Sequence, residues 1–220
     1  MMFDVILLMA GNAQRTNLGY NKVFYQILEK PIYLYSLDVF LEMEECARII
    51  IVAKKEEIPL LRSVENNRVL VVEGGPLRQD SVYYGLKHTT QPLILIHDAA
   101  RPNVKKEDII KLVAEMKDAD GAALGFPVQD TIKEITEEQL QTLERSKLWT
   151  IQTPQAIKRD ILMSCLSKAQ IDQFTAYDDL QLLEKYGYSH LKIVTGSKYN
   201  LKVTTMEDMK LAEWMIGEGL

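Results

Sequence analysis

Val5-Ile6-Leu7-Leu8-Met9-Ala10-Gly11-Asn12-Ala13-Gln14-Arg15, followed by Asn21-Lys22, is the stretch whose reading decides the fold. An apolar run ends in small residues and opens into a polar loop carrying one arginine and one lysine. This is the pattern of a first β-strand delivering the chain into an anion-holding loop. Small residues let backbone N–H groups approach phosphate oxygens, and the two cations offset their charge. Arginine offers a planar fork and lysine a mobile point charge. Alone, such a string also fits a solvated surface loop, so the rest of the chain must decide.

Short apolar runs recur at 4–9, 47–52, 69–73, 93–96 and 121–128, several without interruption. Such runs suit strands buried on both faces. Helix-period segments lie between them at 32–42, 54–65, 77–86 and 106–118. The alternation predicts an α/β fold, a Rossmann-like mostly parallel sheet flanked by helices, with right-handed crossovers. Residues 129–150 break the rhythm. Asp130–Ile135 alternates polar and apolar residues, Thr136–Gln141 is a polar turn, and Leu143–Ile151 partly alternates again. This predicts a long, half-exposed hairpin protruding from the sheet. A two-stranded excursion is not stable alone in water, so a second copy of the chain is its natural support. Helices follow at 158–168 and 178–186, strands at 190–194 and 200–203, and a last helix at 206–216. Thr205 and Asp208 are spaced for a capping box. The reading is of one domain over residues 1–220, with 129–150 as its arm.

Bulk properties narrow the function. The chain has 220 residues, 47% hydrophobic and 26% charged, as an ordinary globular protein has. Its net charge of −5 gives no basic excess for nucleic acid, so any anion needs a local cluster. Cys46 and Cys165, far apart and without CxxC spacing, suggest a reducing, cytoplasmic setting and no metal framework. The first apolar run is too short to span a membrane.

Further candidate residues fall where strands are expected to end. Glu73-Gly74-Gly75-Pro76-Leu77-Arg78-Gln79-Asp80-Ser81-Val82 places exposed backbone, a guanidinium and a hydroxyl near a helix start. His97-Asp98-Ala99-Ala100-Arg101-Pro102 sets opposite charges at the sheet edge where open α/β sheets bind ligands. His97 reads equally as a satisfied core histidine. Thr131 and Arg145 lie on opposite limbs of the arm, and Lys202 alternates with Leu201 and Val203.

Taken in order, these stretches resemble the 2-C-methyl-D-erythritol 4-phosphate cytidylyltransferases, whose fold is of the nucleotide-diphospho-sugar transferase type. The family's loop glycines, arginine and P-K-Q are matched by Met9 to Arg15 and Asn21-Lys22-Val23. Its G-G-x-x-R-x-x-S-V matches Gly74 to Val82, and its H-D-A-A-R-P matches His97 to Pro102. Its P-V-x-D-T-I-K runs from Pro127 to Lys133, its R-x-x-L-W…T-P-Q from Arg145 to Gln155, and its N-I-K-x-T from Asn200 to Thr204. The chain departs from the pattern at Met9, Ala13 and Asn21, and at Tyr177, where the family often has threonine. Thr175 is the nearby alternative for that lost hydroxyl.

The resemblance implies transfer of a cytidylyl group from CTP to a polyol phosphate, methylerythritol phosphate, with release of pyrophosphate. It implies Arg15 and Lys22 as catalytic cations and Ala10, Gly11, Gly75, Ser81, Asp98 and Ala99 around the nucleotide. Arg145, Lys202, Thr131, Asp98 and Arg101 would position the second substrate. Mg²⁺ would bridge the CTP phosphates. The family is a homodimer with crossing arms, so Thr131 and Arg145 would complete the partner's site. Two alternatives stay open here: a ribitol 5-phosphate cytidylyltransferase, and a non-catalytic nucleotide-binding regulator on the same fold.

Overall fold

The computed structural model describes residues 1–11 and 18–220. Its first strand, β1 (Phe3–Leu8), is flanked by later ones on both sides. A small hairpin follows, β2 (Gln26–Ile27) with β3 (Lys30–Pro31), and then α1 (Ile32–Leu41), β4 (Cys46–Ala53), α2 (Ile58–Leu61) and β5 (Val69–Glu73). Next come α3 (Arg78–Leu86), β6 (Leu93–Asp98), α4 (Lys106–Glu115) and β7 (Gly121–Pro127). The arm carries β8 (Lys133–Ile135) and β9 (Leu140–Thr142). The chain ends through β10 (Trp149–Lys158), α5 (Arg159–Asp172), α6 (Asp179–Lys185), β11 (Leu191–Thr195) and α7 (Met206–Gly217).

The main sheet has seven strands in the order β11-β7-β10-β6-β1-β4-β5. All neighbouring pairs are parallel except those of β10, which is antiparallel to both β6 and β7. Alternation along β1 assigns its faces. Val5 and Leu7 pack with Tyr33, Leu37 and Phe40 of α1 and Ile109 and Leu112 of α4. Ile6 packs on the other side with Val82 and Leu86 of α3 and Leu162, Cys165 and Leu166 of α5. Each such buried aliphatic contributes about 1.5–3 kcal/mol. From β1 the chain crosses to β4 on one side and later places β6 on the other. The crevice at that reversal lies beyond the ends of β1, β5 and β6, where open α/β sheets hold ligands.

Three expectations need correction. The first concerns β10. Residues up to Ile151 are not simply the arm's return limb, because Trp149 onward joins the main sheet, pairing Trp149 with Pro127 and Gln155 with Ile96. Its buried residues include Gln152, Thr153 and Gln155, so an apolar search passes over it. The second concerns residues 54–65, which form no continuous helix. Short 3₁₀ turns at 55–57 and 62–64 flank α2, and Pro59, which lacks an N–H, sits in its first turn. The third concerns residues 200–203, which are not a strand. The chain there is irregular, with the Val203 N–H bonded to the Ala100 carbonyl at 2.8 Å. The capping box holds: the Thr205 hydroxyl accepts from the Asp208 N–H at 3.2 Å and Asp208 accepts from the Thr205 N–H at 2.9 Å.

Candidate active site

A cleft of about 250 Å³ opens beyond the ends of β1 and β6. On its wall lie Ala10, Gly11, Lys22, Gly75, Arg78, Ser81, Asp98 and Lys202. Lys22 and Lys202, from opposite ends of the chain, therefore share one cavity. Arg15 lies outside the described residues.

The β5–α3 turn owes its path to the paired glycines. A Cβ on Gly74 would stand 2.9 Å from the Ala10 Cβ and 2.8 Å from the Ser81 Oγ. One on Gly75 would stand 2.3 Å from the Asp80 Cβ. The turn thus closes directly onto the end of β1. Ser81, buried beneath it, accepts a hydrogen bond from the Gly75 N–H at 3.1 Å, so its hydroxyl holds the turn. A Cβ on Gly11 would meet no described atom within 4 Å.

Asp98 is the electrostatic centre. Its carboxylate lies 2.7 Å from the Lys202 Nζ, 3.5 Å from the Arg78 Nε and 3.9 Å from the Arg101 Nε. Burial works to raise its pKa, but Arg78, Lys202 and Arg101 outweigh it and hold the carboxyl well below the usual range. Arg78 is also gripped by Asp179 at the start of α6, with Nη1–Oδ1 at 3.0 Å and Nη2–Oδ2 at 2.7 Å. Burial opposes the charge on Arg78, yet Asp179 and Asp98 raise its pKa further. The wall therefore carries cations gathered on one carboxylate.

Buried polar residues keep Asp98 in place. The Asp98 N–H donates to the Thr153 hydroxyl at 3.0 Å, which in turn donates to the His97 Nδ1 at 3.1 Å. The His97 Nε2–H donates to the Arg101 carbonyl at 3.2 Å, so the ring is neutral and fully partnered. Burial pulls its pKa down to about 4. His97 is a strut, as one of its two readings held. Gln155 accepts from the N–H groups of Asp179 and Leu180 at 3.0 and 3.1 Å, anchoring α6. Asn200 donates to the Thr153 carbonyl at 2.9 Å and accepts through its own carbonyl from the Arg101 Nη1 at 2.8 Å, which sets the segment bearing Lys202.

Four expected residues lie off the cleft wall. Ala99 is fully buried, its N–H bonded to the Leu8 carbonyl at 3.0 Å. Arg101 sits behind Asp98 and clamps Asn200. Thr131 and Arg145 are exposed on the arm, with the Arg145 Nη1 donating to the Gln129 carbonyl at 2.8 Å. Tyr177 is 93% exposed, while Thr175 lines a separate groove between α3 and α5. Sequence reasoning named Arg78 within its motif but gave it no site role, and it missed Asp179, Thr153 and Gln155 as supports. Their signal was the polar residues inside an otherwise apolar second half.

Residues 3–218 match the 2-C-methyl-D-erythritol 4-phosphate cytidylyltransferase family. A protein of that name from Halalkalibacterium halodurans is 38% identical, covering 99% of this chain and 98% of its own. One from Aquifex aeolicus is 37% identical, covering 98% of each. The crystal structure of the enzyme of that name from Thermus thermophilus superposes with a TM-score of 0.82 at 26% identity, covering 98% of each chain. A 4-diphosphocytidyl-2C-methyl-D-erythritol synthase structure from Anaerococcus prevotii gives 0.89 at 24% identity, covering 98% and 96%, a likeness of fold.

Proposed function

The chain belongs to the 2-C-methyl-D-erythritol 4-phosphate cytidylyltransferase family, and from that premise we propose that its cleft joins CTP to 2-C-methyl-D-erythritol 4-phosphate. A phosphate oxygen of the polyol phosphate attacks the α-phosphorus of CTP. The bond from that phosphorus to the β-bridging oxygen breaks, giving 4-diphosphocytidyl-2-C-methyl-D-erythritol and pyrophosphate. The nucleophile needs no general base, because a phosphate monoester with a second pKa of about 6 is already a dianion at neutral pH. The difficulty is bringing two polyanions together, and positioned positive charge supplies that. The observation that carries the reading is the shared cavity of Lys22 and Lys202, with Asp98 and Arg78 between the strand ends.

In this reading Lys22, with Arg15, takes up charge building on the α-phosphoryl group and the leaving pyrophosphate. Lys202 leaves Asp98 for the attacking phosphate. The nucleotide lies over Ala10, Gly11 and the Gly75 turn that Ser81 braces, with the ribose near Asp98. Arg101 and Ala99 act from behind the wall by fixing Asp98. Thr131 and Arg145 reach the cleft of a second protomer, which makes the active form a homodimer. Among the described residues no three His, Cys, Asp or Glu gather to hold a metal, and Asp98 is already engaged by cations. Mg²⁺ would enter with the nucleotide and would supply neutralisation of the triphosphate charge. No helix among the described residues is long and apolar enough to cross a membrane, and the two buried thiols fit a cytoplasmic protein.

Pyrophosphate release, measured with CTP, UTP and ATP against methylerythritol phosphate and ribitol 5-phosphate, tests the proposal. Release is expected with CTP and methylerythritol phosphate. Preference for ribitol 5-phosphate would overturn the substrate, and CTP binding without release would overturn the enzymatic reading. The relatives' names favour methylerythritol phosphate over the ribitol alternative.

A further inference from the structure

Lys22 follows a residue that does unusual work. Asn21 is 6% exposed, and its side chain joins three separate pieces of the chain. Its Nδ2 donates to the Met9 carbonyl at 2.6 Å, just past β1, and to Glu57 Oε2 at 3.2 Å. Its Oδ1 accepts from the Val23 N–H at 3.4 Å, capping the short 3₁₀ turn 22–24. Glu57 is itself 8% exposed and accepts from the Lys54 N–H at 3.3 Å, just past β4. The Lys22 turn is thus pinned to the ends of two adjacent strands. Burial pushes the Glu57 carboxyl up, against the pull of the Asn21 and Lys54 hydrogen bonds.

Buried polar side chains cost free energy unless bonded, and here Asn21 and Glu57 bond to each other and to backbone groups. Asn21 borders the cleft, but both amide protons are committed, to Met9 and to Glu57. Its side chain has no donor left for a ligand. Its backbone φ of −68° is one that proline would also adopt, and proline is what the resembling pattern carries there. Here hydrogen bonds supply the stiffness that a ring would.

We infer that Asn21, braced by Glu57, is a positioning residue that fixes Lys22 for the transition state. The inference rests on the catalytic reading of Lys22. A displacement of about 1 Å can cost on the order of 100-fold in rate. Asn21→Ala is therefore expected to lower kcat by about 10- to 100-fold, with the KM for CTP changed by less than about threefold. In the double variant with Lys22→Ala, kcat falls no further than in Lys22→Ala alone, because both changes act through one ammonium group. Glu57→Ala shifts kcat the same way. Glu57→Gln keeps an acceptor oxygen and stays within about threefold of wild type.

Steady-state kinetics on the folded variants decides. Additive losses in the double variant, or a loss confined to KM, would overturn the inference. So would a kcat within about twofold of wild type for Asn21→Ala beside a crippled Lys22→Ala. Wild-type turnover in Lys22→Ala would instead bring down the catalytic reading of Lys22. If Asn21→Ala does not fold, the Glu57 pair decides: equal kcat for Glu57→Ala and Glu57→Gln overturns the inference.

Discussion

The cleft and the arm hold their charges in opposite ways. At the cleft Asp98 gathers Lys202, Arg78 and Arg101 within 4 Å, its side chain 11% exposed. On the arm every residue from 129 to 142 is exposed, and Lys147 meets Glu144 in open solvent. Cleft charges are set within the fold, since Asp98, held by the buried bond to Thr153, gathers the cations around it. Arm charges meet neighbours within the arm, such as Gln129 for Arg145 and Glu144 for Lys147, and Ile135 and Leu140 stand in water beside them. One region is preorganised by burial. The other is held by hydrogen bonds between its own two limbs while its side chains stay exposed.

The largest break in that contrast comes from Asp98→Asn. It leaves the largely buried Arg101 and the part-buried Arg78 and Lys202 facing one another, so a loss of about 1–3 kcal/mol in stability is expected, together with most of the turnover. Urea unfolding and pyrophosphate release measure the two losses, and wild-type values for both would mean that the cluster is not preorganised. Lys202→Ala should cut turnover by about 100- to 1000-fold while the urea midpoint barely moves, because a half-exposed ion pair adds little stability. An equal loss of stability would recast Lys202 as structural.

The His97 strut predicts a pH effect of about 3 kcal/mol. Its folded pKa of about 4 lies below the ordinary 6.5, so the unfolded chain binds the extra proton in that window. Stability is then present above pH 6.5 and lost as the pH falls from about 6.5 to about 4. His97→Gln should flatten this slope in urea titrations; an unchanged slope would show another group to be responsible.

Smaller effects probe the arm. Mixed and refolded Lys22→Ala and Arg145→Ala chains should regain about a quarter of wild-type activity if arms cross, since random pairing restores one site in half of the dimers. No recovery would confine Arg145 to its own chain. Ile135→Asp should change the stability of the isolated fold by less than about 0.5 kcal/mol, because the side chain is 77% exposed. Its effect should appear in sedimentation as weaker dimerisation, and an unaltered dimer would remove the arm from the interface.

Much of this molecule was legible from local pattern. Strands β1, β4, β5, β6 and β7 are apolar runs bounded by small or charged residues, and helix periodicity between them announced the layers. The same local logic hid β10, whose buried Gln152, Thr153 and Gln155 read as loop residues. It also invented a strand at 200–203 from a brief alternation. Lys22, Asp98 and Lys202 stood out because each follows or punctuates a recognisable motif, and the fold brings them to one cavity. Arg78 went without a role because its value comes from Asp179, distant in sequence and near only after folding.

The sequence by itself determined the layered α/β architecture, the sheet edge where ligands belong and the kinds of charge that gather there, because hydrophobic period and strand-end chemistry are local properties. Only the tertiary structure decided which cations share a cavity, that His97 is a neutral strut, and that Asn21 reaches Glu57. Those facts depend on burial and on distances of a few ångströms between segments remote in the chain, and no local pattern encodes either.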